Sequence, residues 1–409
     1  MRRVVVTGLG MVSPIGLTLE ESWHNALAGH SGVDLIKSFD ASRLSVQIAA
    51  EVKGFDPSLS MEAKEAKKST RFVQFAVTAA KEAINHAGLN LEGDTTSFGC
   101  SIGVGIGAIQ NIDATALTCK EKGPKRVSPF FIPYVITNMA AGIVANTFKL
   151  KGPNLCTTTA CTSGTHGIGE AWLHIKAGMA DVMICGGAEA SLCELAIAGF
   201  QNMKALSRRN ESPQQASRPF DVNRDGFVMG EGAGILILED YEHARARNAK
   251  IYCEMSGYGM SGDAHHITAP APEGEGAQRC LRAALKTAKT LPERVDYINA
   301  HGTSTYFNDI YESQAISRVF SEHTKNLAVS STKGVTGHCL GAAGGIEAVF
   351  LAKSIHEQKA PPTANLQEVD PECPLDYIPG SARDLKIDVG ISNSFGFGGT
   401  NGSIVFAKI

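Results

Sequence analysis

Apolar positions along the chain fall into two rhythms. Between Arg71 and Ala87, Phe72, Phe75, Ala76, Ala79 and Ala83 recur at intervals of three and four, which predicts a helix capped by Gly88. Ile168, Ala171, Trp172 and Ile175 predict a second helix ending at Gly178, and Ala277, Leu281, Ala284, Leu285 and Ala288 a third. Unbroken apolar runs such as Val4-Val5-Val6 and Val182-Met183-Ile184-Cys185 read instead as buried strands. Strand-like and helical runs alternate, the pattern of an α/β protein. The strand-then-turn run 98–105 is echoed by 295–302, and Val182–Cys185 before Gly186-Gly187 by Val389–Ser392 before Gly396. These echoes predict a duplicated α/β core, divided near residue 250 into a half of residues 1–250 and a half of residues 251–409.

Composition narrows this picture. At ~150 residues per domain, 409 residues suit two or three domains or one large duplicated unit. With 43% hydrophobic and 19% charged residues, the chain has material for a packed core. A formal charge of -3 gives no general attraction to nucleic acid or anionic membrane. No stretch reaches the ~20 apolar residues of a membrane span, and the N-terminal apolar run stops at Gly8, too early for a secretory signal. Ten scattered Cys without a CxxC suit a reducing compartment, so a cytoplasmic location is expected. The 43 Gly cluster at 103–107, 186–187, 230–234, 341–345 and 396–402, always among apolar residues, as close backbone approach would require.

Candidate chemistry gathers in four small-residue turns. Thr157–Gly167 sets Cys161 where a β-branched run meets a helix, so a dipole-lowered thiol pKa is expected there. Free first-turn amides offer an oxyanion site. A lone Cys in such a place is more often structural, and its partners change that balance. His301 follows a strand in Asn299–Thr305, and His338 lies in Lys333–Gly341. A third Gly-rich turn spans Asn393–Gly402. A Cys with two such His residues suits nucleophilic catalysis with hydrogen-bond assistance.

With these motifs the chain resembles the β-ketoacyl-acyl-carrier-protein synthases, closest to the type II elongating enzymes, over essentially its whole length. Further landmarks are Ser128–Phe131, Ser217–Asp221 and Arg224–Phe227. The resemblance implies a thiolase-like fold in five α-β-α-β-α layers and a homodimer. It makes Cys161 the acyl-carrying nucleophile, with the amides of Cys161 and Phe397 as its oxyanion hole. His301 and His338 would hold the malonyl thioester and stabilise the enolate formed on decarboxylation. Lys333 and Glu347 match a buried ion pair that positions the histidines, and Phe397 matches a gate. Ile106, Phe200 and Thr268 match the acyl pocket, Thr303 and Thr305 the pantetheine arm, and Phe395, Gly396 and Gly398 the substrate-facing turn. An acidic acyl carrier protein would dock on Lys64, Lys67, Lys68, Lys125, Arg126, Arg208 and Arg209. The protein itself requires no cofactor and no metal; phosphopantetheine arrives on the carrier.

Three positions depart from the family pattern: Tyr306-Phe307 stand where Pro and a small residue are usual, and Cys339 replaces a common Leu. Other readings are a type I elongating synthase, a polyketide ketosynthase, and a non-catalytic chain-length factor, which would lack the Cys. The pair His265-His266 prompts a metal-site reading, but no HxH, HExxH or CxxC spacing accompanies it.

Overall fold

The structure is a computed structural model describing residues 2–409. Ten strands form its frame: β1 (Val4–Val12), β2 (Phe98–Gly103), β3 (Asn154–Leu155), β4 (Val182–Glu189), β5 (Gly232–Asp240), β6 (Cys253–Gly262), β7 (Tyr297–Asn299), β8 (Ala328–Ser330), β9 (Val389–Gly396) and β10 (Thr400–Ala407). Their spatial order is β8-β7-β9-β10-β6-β1-β5-β4-β2-β3.

That order is one five-stranded unit used twice. In the first, β3, β2 and β4 run parallel, and β4-β5-β1 continue antiparallel. In the second, β8, β7 and β9 run parallel, and β9-β10-β6 continue antiparallel. Within the sheet the units join where Val5 and Val6 of β1 pair with Glu254 and Cys253 of β6. Both expected echoes fall on equivalent strands, β2 with β7 and β4 with β9.

Eight helices matter here: α1 (Arg71–Ala87), α2 (Ile109–Lys122), α3 (Met139–Phe148), α4 (Ser163–Lys176), α5 (Glu194–Asn202), α6 (Glu275–Ala288), α7 (Tyr306–Phe320) and α8 (Ala343–Glu357). The apolar faces expected of α1, α4 and α6 are the faces they bury, and Gly88 caps α1 in the left-handed conformation, φ 58°. α1 and α3 cover the outer face of the first unit, α6 and α7 that of the second, and α4 and α8 lie between the units. The result is five layers, α-β-α-β-α. Every residue of β1, β4 and β5 is buried, as their unbroken apolar runs require. The central helices touch backbone to backbone: a Cβ on Gly164 would stand 2.7 Å from the Gly345 amide. A Cβ on Gly187 would likewise stand 2.4 Å from the Gly341 carbonyl, so the Gly clusters at 186–187 and 341–345 serve close approach rather than flexibility.

Candidate active site

Cys161 sits on a three-residue 3-10 turn, Ala160–Thr162, that feeds α4. Ala160 has φ 53°, a left-handed conformation that strains a residue with a side chain. Local hydroxyls hold the bend. Ser163 Oγ accepts from the Thr159 amide at 2.9 Å and donates to the Ala160 carbonyl at 2.7 Å, while Thr162 Oγ1 donates to the Thr159 carbonyl at 2.6 Å. The amides of Phe397 and of Cys161 itself point at the sulfur. The expectation of a lowered thiol pKa is not met. Burial pushes the Cys161 thiol up to about 12, and the Lys333 charge and the two amides offset this only in part. Desolvation outweighs the local helix end.

The two imidazoles come from the second unit and meet edge to face, ring centres 5.3 Å apart at 87°. His301 follows β7 directly; Glu312 of α7 accepts from its amide at 2.9 Å and from that of Gly302 at 2.8 Å. His338 is gripped by its backbone, its amide donating to Val228 at 2.7 Å and its carbonyl accepting from Gly230 at 2.9 Å. Burial, then the Lys333 charge, hold both ring pKa values well below the ordinary 6.5, so both are neutral near pH 7. Among the described residues neither Nδ1 has a hydrogen-bond partner. Lys333 is paired with Glu347 of α8, both fully buried. Burial raises the Glu347 carboxyl to about 7 against the pull of that lysine. The ion pair expected from the resemblance is present, not a surface pair.

Aromatic rings link sulfur and imidazoles. Phe397, whose amide faces Cys161, lies 6.4 Å from Phe200; Phe200 is 5.4 Å from Phe227, and Phe227 is 5.4 Å from His338. Phe395 meets His301 at 5.7 Å. Ile106 and Phe200 pack in the same apolar cluster as Cys161. Thr303 and Thr305 share a 2.8 Å hydroxyl hydrogen bond. The Thr268 amide donates to His266 Nδ1 at 3.1 Å, as does that of Ala269. His266 is thus a cap within its own loop, and that loop reaches the Gly-rich turn through Gly398 N–H to the Ile267 carbonyl, 2.8 Å. Cys339 is buried, its thiol donating to the carbonyls of Glu231 and Thr336.

The basic residues fall into two groups. Lys64, Lys67, Lys125 and Arg126 are exposed, and Lys68 lies 5.5 Å over the Phe130 ring, tying 64–68 to 125–130. Arg208 and Arg209 instead hang on the 223–225 turn: the Arg208 amide donates to Asp225 at 3.1 Å and Arg209 to the Asn223 carbonyl at 2.6 Å.

Sequence reading missed two carboxylates. Glu189, the last residue of β4, accepts from the amides of Gly105, Ile106 and Gly107 at 2.8–3.0 Å and of Gly341 at 3.2 Å. Glu312 was the other. Glu189 leaves one trace in the sequence, a charge at the end of an otherwise apolar, buried strand, and Glu312, among Asp309, Ser313 and Gln314, leaves none.

The chain matches the model of the Beta-ketoacyl synthase N-terminal domain over residues 1–244 and that of the C-terminal domain over residues 252–367. It is 52% identical over 408 residues to the 3-oxoacyl-[acyl-carrier-protein] synthase 2 of Synechocystis sp., covering 100% of this chain and 98% of that protein. Against the enzyme of the same name in Coxiella burnetii it is 50% identical over 409 residues, covering 100% and 99%. Among solved structures, a Beta-ketoacyl synthase from Burkholderia phymatum superposes with a TM-score of 0.94 at 36% identity, covering all of both chains. A ketosynthase solved in complex with its type II PKS acyl-carrier protein gives 0.92 at 37% identity, covering 100% of this chain and 99% of that one. The chain belongs to the beta-ketoacyl synthase family.

Proposed function

We propose that the protein is a condensing acyltransferase of fatty acid elongation, a 3-oxoacyl-[acyl-carrier-protein] synthase of the second, elongating type. One observation carries the assignment of roles: a cysteine on a strained helix entrance is linked through a run of aromatic rings to two neutral imidazoles that lie in the field of a buried lysine-glutamate pair. Full-length identity of 50–52% to 3-oxoacyl-[acyl-carrier-protein] synthases, against 37% to a type II PKS ketosynthase, favours elongation over polyketide assembly.

In the first step Cys161 attacks the acyl thioester on the carrier, and its proton leaves with the departing pantetheine sulfur. The amides of Cys161 and Phe397 stabilise the oxyanion of the tetrahedral intermediate. Malonyl thioester then loses carbon dioxide, leaving an enolate that accepts hydrogen bonds from His301 and His338. Decarboxylation supplies the carbon nucleophile without a strong base, so neutral imidazoles suffice. Preorganised donors of this kind contribute about 3–4 kcal/mol each. The enolate attacks the acyl carbonyl, a carbon–carbon bond forms, and Cys161 departs and recovers a proton. Lys333 and Glu347 keep the imidazoles neutral and placed. Phe397 gates entry, with Phe395, Gly396 and Gly398 framing the turn that moves. Ile106, Phe200 and Thr268 line the acyl path, and Thr303 and Thr305 the pantetheine path.

The acyl carrier protein is the partner, reading the two basic groups described above. The reaction as written uses no cofactor or metal of the protein's own. A homodimer is supported by α2, which buries none of its residues within the chain, and by exposed Ile112, Leu117, Phe130, Ile132 and Ile136 around it, a patch of the kind that partner chains cover. Ten unpaired cysteines, and the lack of any helix among the described residues long and apolar enough to cross a membrane, agree with a cytoplasmic enzyme.

Incubation with a panel of acyl-carrier proteins followed by intact-mass measurement tests the proposal. The wild type should gain one acyl mass, and Cys161→Ala none. Equal loading of both would refute the nucleophile.

A further inference from the structure

Tyr306 and Phe307, where the chain departs from its family, are 53% and 55% exposed although they open a helix whose following turns are buried. They are not loose. Their rings meet at 5.2 Å, Phe307 reaches Tyr311 at 5.9 Å, and the Tyr306 hydroxyl donates to Glu372 at 3.1 Å. Beneath them the buried Arg224 donates to the carbonyls of Thr305 and Tyr306 at 3.2 and 3.1 Å and lies 5.4 Å from the Tyr306 ring. The neighbouring backbone brings two more exposed apolar side chains: Val222, 41% exposed, donates its amide to Glu368, and Asp221 is bridged to Val369, 38% exposed. The 221–225 segment also holds Arg208 and Arg209, through Asp225 and the Asn223 carbonyl. Four apolar side chains on rigid backbone, flanked by two arginines, begin one residue beyond Thr305.

We infer that Tyr306, Phe307, Val222 and Val369 form an apolar docking platform for the acyl carrier protein, with Arg208 and Arg209 as its charged edge. The inference rests on the condensing function proposed above. The carrier is the occupant because the platform is continuous with the expected pantetheine entrance at Thr303 and Thr305, and because Arg208, exposed and without an ion-pair partner among the described residues, complements an acidic partner, whereas Arg209 is paired with Asp225 at 3.6 Å. Rigid aromatics on a surface give a binding partner contact area at little entropic cost. Arginines at the rim govern encounter and its salt dependence rather than residence.

The double variant Tyr306→Ser/Phe307→Ser separates docking from chemistry. With malonyl-carrier protein its kcat/KM should fall about ten-fold, while with malonyl-pantetheine, which has no carrier to dock, it should match wild type. Titration with unloaded carrier protein should show Kd raised by the same factor with the salt slope kept. Arg208→Ala/Arg209→Ala should instead flatten that slope. Equal loss on both substrates would overturn the platform, because the aromatics would then act on the tunnel or the fold. No loss on either would overturn it too. A fall in the variant's mass by light scattering would overturn it by assigning the patch to a second copy of this chain. Wild type inactive on both substrates would sink the function itself, a result distinct from all of these.

Discussion

The two halves of the molecule repeat one strand order and one helix entrance, and they differ in what faces that entrance. In the first half, the turn Ala160–Thr162 leads into α4, with Ala160 at φ 53°; in the second, the turn Leu340–Ala342 leads into α8, with Leu340 at φ 48°. Each entrance faces the last residue of a strand in the opposite half. Glu189 ends β4, and its carboxylate accepts the Gly341 amide. Gly396 ends β9, and a Cβ there would stand 3.2 Å from the Cys161 amide. One helix entrance is closed by a carboxylate and the other left open beside a sulfur. The duplication supplies two equivalent anion-binding ends, and the choice of glutamate or glycine decides which is free for a substrate oxyanion.

The largest effect is expected from closing the open end. Gly396→Val should cut acyl loading of Cys161 by more than about 10²-fold while leaving the unfolding transition close to wild type. Stopped acylation assays and a denaturant melt on one preparation check both halves of that statement. A smaller effect should come from opening the closed end. Glu189→Ala leaves four buried amides without their acceptor and should destabilise the fold by about 2–3 kcal/mol, seen as a lower denaturant midpoint with unchanged slope. An Ala variant as stable as wild type would show that the carboxylate does not hold the Gly105–Gly107 loop to α8.

Much of this was legible in the sequence, for physical reasons that also mark its limit. Cys161, His301 and His338 stand in small-residue turns, and such turns are local features; His301 follows β7, whereas Cys161 lies on the 3-10 turn that feeds α4 and His338 just past a single helical turn, Lys333–Thr336. The strand echo was readable because equivalent strands carry equivalent patterns. Glu189 and Glu312 were not, because their partners are amides 84 and 11 residues away that only the folded chain brings near. The thiol was misjudged for a related reason. A helix end is visible locally, whereas the desolvation that raises Cys161 depends on Phe397, Phe200 and Ile106 arriving from elsewhere. Tyr306 and Phe307 were visible as departures, but their exposure on a buried Arg224 platform belongs to tertiary structure.

Under the proposed function the two halves divide the labour: sulfur and open amides would load the acyl group, and the imidazoles from the other half would serve only the carbon–carbon step. His338→Ala measured in both half-reactions tests this most directly. Acyl transfer to Cys161, followed by intact mass, should stay within a few-fold of wild type, while condensation with malonyl-carrier protein should fall by about 10²–10³. Condensation at the wild-type rate in that variant would contradict the division.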